Sequence, residues 1–267
     1  MIEAGRLVTT KQSEDGPAFR SVSILGVRVD DVTNDETLGF IGTLVRSGRK
    51  HQVATINPEF IMEAQRNPEF MKTLNRTSLS FPDGIGVLIA SRMFGRPMRE
   101  RVAGVDIVER LADMSAERGY SLFLLGAAPG IAEKTAEILS ARAPGVRIAG
   151  TYSGSPSPAE EAEICSTINA VRPDILFVAY GAPKQDLWIA RNLSRLDVSV
   201  AMGVGGSFDF ISGISKRAPA WIRRIGLEWL YRLLNEPTRW RRMLALPQFA
   251  ASCVLSVVRT SRRDNRS

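Results

Sequence analysis

The chain has 267 residues, 44% of them hydrophobic, enough for one α/β domain with a full core. Two cysteines exclude a disulfide framework and point to a reducing compartment, and a single histidine, His51, excludes a His-rich metal site. The net charge of +7 is uneven: 12 Lys/Arg against 3 Asp/Glu from Lys216 onward give +9, while the first 215 residues carry 23 basic and 25 acidic groups, or −2.

Residues 1–21 are polar, mixed in charge and lack an apolar signal segment, so they read as a disordered tail. Val22–Val29 reads as a first strand and Asp35–Arg46 as a helix. Gln52–Ile56 is strand-like and stops at Asn57-Pro58, a turn signal. Two short helical stretches follow, Glu59–Arg66 and Pro68–Asn75. Ser78–Phe81 is a strand broken by Pro82-Asp83-Gly84. Ile85–Met93 reads as an apolar helix, Gly95–Arg101 as a basic loop, and Val105–Arg118 as an amphipathic helix ended by Gly119. Strands at Tyr120–Leu125, Val146–Tyr152, Asp174–Tyr180 and Val198–Val204 then alternate with helical patterns at Ile131–Ala141, Pro158–Val171 and from Lys184. This alternation predicts an α/β, Rossmann-like, mostly parallel sheet with helices on both faces, spanning 22–215.

Three strands end in glycine turns: Gly126–Gly130, Gly181–Pro183 and Gly203–Gly206. Such turns let backbone N–H groups approach a pyrophosphate at the carboxyl edge of a sheet. No G-x-G-x-x-G with an acidic partner opens the first unit, which disfavours a nicotinamide enzyme, and no P-loop occurs. No D-x-D pair supplies an acidic clamp for a divalent metal. Thr55 and Asn57 lie two residues apart on one side of an extended segment. Asp83, in its Pro-Asp-Gly turn, serves either as an ordinary Asx turn or as a general base set by its surroundings. Arg99 and Arg101 follow on the basic loop, and Gln185 belongs to the first turn of the helix after Gly181.

From Lys216 the chain reads as a basic aromatic helical appendage. Trp221, Trp229, Tyr231 and Trp240 interleave with arginines among apolar positions at helical spacing, which suits a membrane interface. Met243–Val258 is apolar but shorter than the ~20 residues of a membrane span. Two other classes fit parts of the pattern: a non-catalytic nucleotide or single-stranded nucleic-acid binding module using the basic tail, and a methyltransferase on a similar sheet. The tail lacks a nucleic-acid motif, so no nucleic acid is expected.

Several motifs resemble the WecG/TagA/CpsF family of bacterial glycosyltransferases: Thr55-x-Asn57-Pro58-Glu59, Pro82-Asp83-Gly84-x-Gly86, Arg101-Val102-x-Gly104-x-Asp106, Gly181-x-Pro183-Lys184-Gln185-x-x-Trp188, and Gly203-Val204-Gly205-Gly206-x-Phe208-Asp209. Arg217-Ala218-Pro219-x-Trp221 and the run Gly226–Pro237 resemble it as well, so the likeness extends from about Ile24 to Arg242. It implies an inverting glycosyltransferase that needs no metal or cofactor. The implied donor is a UDP-sugar carrying N-acetylmannosamine, its uronic acid, glucose or glucuronate. The implied acceptor is a saccharide on polyprenyl diphosphate, with the enzyme peripheral on the cytoplasmic face of an anionic membrane. Asp83 matches the family's base; Thr55, Asn57, Arg101 and Gln185 match active-site residues. Gly126, Gly181, Lys184, Gly203, Gly205, Gly206 and Asp209 are then expected around UDP, with Asp209 at the uracil or ribose. Arg232, Arg239 and Arg242 match arginines of an appendage, here 216–267, that closes over the site and touches the membrane.

Overall fold

A computed structural model describes residues 10–11, 19–237 and 240–264. The chain opens with β1 (Thr10–Lys11), β2 (Phe19–Ile24) and β3 (Val27–Asp30), then α1 (Asn34–Arg46). Next come β4 (His51–Ile56), α2 (Pro58–Arg66), α3 (Pro68–Arg76), β5 (Leu79–Pro82), α4 (Ile85–Met93) and α5 (Gly104–Arg118). The middle holds β6 (Ser121–Gly126), α6 (Ile131–Arg142), β7 (Arg147–Tyr152), α7 (Glu161–Val171), β8 (Ile175–Ala179) and α8 (Lys184–Asn192). The chain continues through β9 (Val200–Gly203), α9 (Ser207–Ile211), α10 (Ala220–Arg224), α11 (Glu228–Asn235), α12 (Trp240–Met243) and α13 (Ala245–Asp264).

Strands β4–β9 form one parallel sheet in the order β5-β4-β9-β8-β6-β7. Apolar runs such as Ile175–Val178 are buried on both faces, as a parallel sheet covered by helices on each side requires. Alternate residues serve opposite layers. Val53, Leu122, Leu124, Ile175 and Phe177 pack with α1, α5, α6 and α9. Phe123, Leu125, Leu176 and Val178 pack with α7 and α8, and Ala54 and Ile56 pack with α2, α3 and α4.

The sequence expectation of one strand at Val22–Val29 is corrected. Leu25 and Gly26 take positive φ (49° and 84°) and turn the chain into an antiparallel hairpin of β2 and β3. The signal was Gly26 between two alternating apolar stretches. This hairpin belongs to a separate sheet of order β1-β2-β3. It is tied to the main sheet by Asp30, whose carboxylate accepts from the Ser80 amide at 2.8 Å. Of the expected tail, only 10–11 and 19–21 lie within the described residues, and they are strand.

Helix starts follow local chemistry. Thr33 and Glu36 form a reciprocal capping box on α1, while Asn57 and Asn67 cap α2 and α3 through Phe60 and Phe70 amides, with proline at each first position. Gly119 ends α5 with φ of 76°, as its position predicted. Among the described residues no helix is long and apolar enough to cross a membrane. Instead α13 lies against α2 and α4, burying Phe249 and Cys253 beside Phe60 and Val87.

Candidate active site

The carboxyl ends of β4, β5 and β9 converge on one cleft. Its floor carries Thr55 and Asn57 from the end of β4, Asp83 from the turn after β5, and Gly205 and Gly206 from the turn after β9. Arg101 enters from the loop before α5, and Gln185 from the first turn of α8. Glu228, Trp229 and Arg232 close one side from α11, and Met243 and Leu246 come from the C-terminal helices.

The Asp83 backbone amide donates to the Ile56 carbonyl at 2.7 Å, which fixes the turn against β4. Its Oδ2 accepts from the Gly104 amide at 3.3 Å, at the first turn of α5. Burial pushes this carboxyl up to about 6. The Arg101 guanidinium and the Gly104 N–H pull it down, while the negative charges of Glu228 and Asp106 push it further up. A carboxyl that loses its proton near neutrality, recessed in a cleft, suits general base chemistry.

Gln185 is fully buried, and its carboxamide oxygen accepts from two glycine turns at once: the Gly181 amide at 3.1 Å and the Gly205 amide at 2.9 Å. Two of the backbone donors expected for a pyrophosphate are therefore spent on binding the β8 and β9 turns together. Gly203 leaves room for this side chain, since a Cβ there would stand 2.5 Å from Gln185 Nε2. Asn57 spends its side-chain oxygen capping α2 by accepting from the Phe60 amide at 3.0 Å.

Arg232 passes close to Gly206, where a Cβ would stand 2.7 Å from its Nη2, and its guanidinium sits 4.4 Å over the Phe210 ring. Asp209 Oδ2 flanks the same glycine. Of the other expected residues, Lys184 is exposed at the start of α8, Gly126 ends β6, and Arg242 is exposed in α12; these, Gly181, Gly203 and Asp209 do not line the cleft. Arg239 lies outside the described residues. His51 sits at the amino end of β4, on the opposite edge, between the Ser47 and Ser78 hydroxyls. Among the described residues no group of three or more His, Cys, Asp or Glu is placed to hold a metal ion.

Residues 22–263 match the sequence profile of the glycosyl transferase WecG/TagA/CpsF family. The chain belongs to that family. This WecG/TagA/CpsF member is 36% identical over 226 residues to a protein of Bacillus spizizenii, covering 83% of this chain and 87% of the relative. It is 34% identical over 198 residues to one of Bacillus subtilis, covering 74% and 77%. It is 30% identical over 230 residues to one of Staphylococcus aureus, covering 85% and 90%. Each relative is named an N-acetylglucosaminyldiphosphoundecaprenol N-acetyl-β-D-mannosaminyltransferase.

Two carboxylates in or beside the cleft were not singled out from sequence. Glu228 is one, joined to Arg101 at 3.0 Å across 127 residues of chain. The other is Asp186, fully buried next to Gln185. Burial pushes Asp186 up to about 7, against the pull of the neighbouring Gln185 side chain. The folded chain therefore holds a proton that the unfolded chain releases near pH 4. The associated stability is full below that point and lost as pH rises through about 7. Asp186→Asn, neutral at every pH, is expected to remove this loss. Thermal melts at pH 5 and pH 8.5 check it: the variant's melting temperature should gain on the parent's at the higher pH. An unchanged gap between the two proteins means that Asp186 is not protonated in the fold.

Proposed function

We propose that this transferase moves a sugar from a UDP-sugar to a saccharide carried on polyprenyl diphosphate, with inversion at the anomeric carbon and no metal ion. The observation that carries the reading is Asp83, recessed in the cleft with its proton held up to about 6, beside Arg101, Thr55 and Asn57. In this reading Asp83 takes the proton of the attacking acceptor hydroxyl, and the developing charge on the departing diphosphate is met by Arg101, Arg232 and neighbouring backbone N–H groups. Gln185 aligns the β8 and β9 turns rather than spending its oxygen on substrate. Lys184, Gly126 and Asp209, outside the cleft, border a path for the nucleotide along the same sheet edge.

The names of the relatives favour N-acetylmannosamine as the sugar transferred and N-acetylglucosamine on diphosphoundecaprenol as the acceptor. Glucose and glucuronate are the competing donors. The protein works as a peripheral catalyst on the cytoplasmic membrane face, its cationic segment from Lys216 turned to the headgroups, within a core at 22–215 and an appendage at 216–267.

Incubation with a panel of UDP-sugars and the lipid-linked acceptor, with mass spectrometry of the lipid product, tests the reaction. Transfer of N-acetylhexosamine from UDP-N-acetylmannosamine is the expected result; product from another donor alone, or none, refutes the donor assignment. The same transfer is expected to proceed at an undiminished rate in excess EDTA. Loss of activity in EDTA and recovery with Mg²⁺ or Mn²⁺ sinks the metal-free mechanism.

A further inference from the structure

A chain of four charged side chains joins the segment after Lys216 to the floor of the cleft. Asp106 on α5 accepts from Arg217 Nη1 at 2.6 Å. Arg217 Nε stands 3.8 Å from Glu228 Oε1, and Glu228 Oε2 accepts from Arg101 Nη2 at 3.0 Å. Two members, Asp106 and Arg101, belong to the sheet domain's side of the cleft; the other two, Arg217 and Glu228, come from beyond Lys216. The pairs are largely shielded, with the Arg101 and Glu228 side chains 19% and 23% exposed, so solvent screens them less than a surface pair.

Arg101 is the cation facing Asp83, and Glu228 is the group that occupies it. We propose that Glu228 is a positioning residue for Asp83: by engaging the Arg101 guanidinium at 3.0 Å, it sets how strongly that cation acts on the carboxylate and so the readiness of Asp83 as a base. This rests on the reading of Asp83 as the base. With Glu228 in place, the positive charge beside Asp83 is largely neutralised and a second negative charge is added nearby, so the Asp83 carboxylate binds a proton more tightly.

The charged groups that act on Asp83 are Arg101 from the loop, Asp106 from α5 and Glu228 from α11, together with the Gly104 N–H, and Glu59 from α2 and Arg232 from α11 line the same cleft. Of these, Glu228 is the one that pairs with Arg101. Its removal has one sign. Losing a negative charge and freeing a positive one both lower the proton affinity of Asp83.

The test compares pH profiles of kcat/KM for the full-length parent, Glu228→Gln, Glu228→Asp and Asp83→Asn, with UDP-N-acetylmannosamine and undecaprenyl-diphosphate N-acetylglucosamine in detergent micelles. Thermal melts accompany each variant to show that it is folded. The acidic limb of the parent should lie near pH 6. In Glu228→Gln the limb should move down by roughly 0.5–1 pH unit and the plateau should fall about two- to threefold, because a weaker base transfers a proton less readily. Glu228→Asp keeps the charge, so its limb should stay with the parent's. A purely structural role for Glu228 lowers the plateau and leaves the limb in place. A folded Glu228→Gln protein with an unmoved or raised limb, alongside an inactive Asp83→Asn protein, overturns the positioning role and leaves the base assignment standing. Near-parent turnover in Asp83→Asn overturns both.

Discussion

Asp83→Asn is expected to lower turnover by about 10²–10⁴ while leaving UDP affinity within a few-fold of the parent. The substitution keeps the shape of the side chain and an oxygen able to accept from the Gly104 amide, so the turn after β5 stays in place. What it removes is the ability to take a proton. A loss of that size corresponds to about 3–5 kcal/mol of transition-state stabilisation, the amount a positioned general base supplies. The parent itself should lose activity as pH falls through about 6, since burial holds the proton on Asp83 up to that point. Initial rates across pH 5–8 and calorimetric titration with UDP separate the two effects. A variant that turns over at near-parent rate removes Asp83 from the chemistry. One that fails to bind UDP assigns it to the substrate instead.

The parallel sheet was legible because its signals are local. An apolar run such as Ile175–Val178 reads as buried on both faces, and this one is followed by a glycine turn and a helix start. The hairpin was missed because its turn, Leu25-Gly26, carries a single glycine, and the shift of the apolar positions across it, from Val22 and Ile24 to Val27 and Val29, is its only other signal. In the cleft, Thr55, Asn57 and Asp83 come from two neighbouring strand ends, so their meeting follows from strand order, while Arg101 is returned to them after α4 by the Val102 amide, which donates to the Pro82 carbonyl at 2.9 Å. Glu228 could not be found that way. Its partner lies 127 residues earlier, and a glutamate at the start of a basic helix reads as an ordinary first-turn acid. Gln185 was placed at the right crevice with an incomplete role, because sequence does not show where a side-chain oxygen goes once two glycine amides compete for it.

Replacing Trp221, Ile225 and Leu234 together by serine is expected to cut transfer to a bilayer-held acceptor by about 10²-fold or more. Ten of the fourteen large apolar side chains that stand exposed among the described residues lie from Trp221 onward. These three are 65%, 59% and 72% exposed, so serine costs the fold little in lost packing. Monomers seldom leave so much apolar surface in water without a use for it. The same segment carries the cationic excess, with Arg223 and Arg224 directly beside Trp221 and Ile225. A polyprenyl diphosphate cannot leave the bilayer, because exposing its hydrocarbon costs about 0.8 kcal/mol per CH₂. On the function proposed above the enzyme comes to that surface, and α11 fits the connection to the cleft: Leu234 is exposed while Trp229 and Arg232 of the same helix line the cleft. Each of the three side chains contributes roughly 1–2 kcal/mol when partly buried in the interface, so their joint loss weakens binding by at least two orders of magnitude. Removing the whole segment is a poorer experiment, since it also strips Phe249 and Cys253 from the core beside α2 and α4. Co-sedimentation with liposomes containing anionic lipid, and transfer rates on bilayer-embedded against detergent-dispersed acceptor, read the effect. The variant should fail on the bilayer and recover most of its rate in detergent, where acceptor and enzyme meet without a surface. Full transfer on the bilayer shows that these side chains have no part in docking; equal loss in both systems shows that they shape the cleft and not its approach to the membrane.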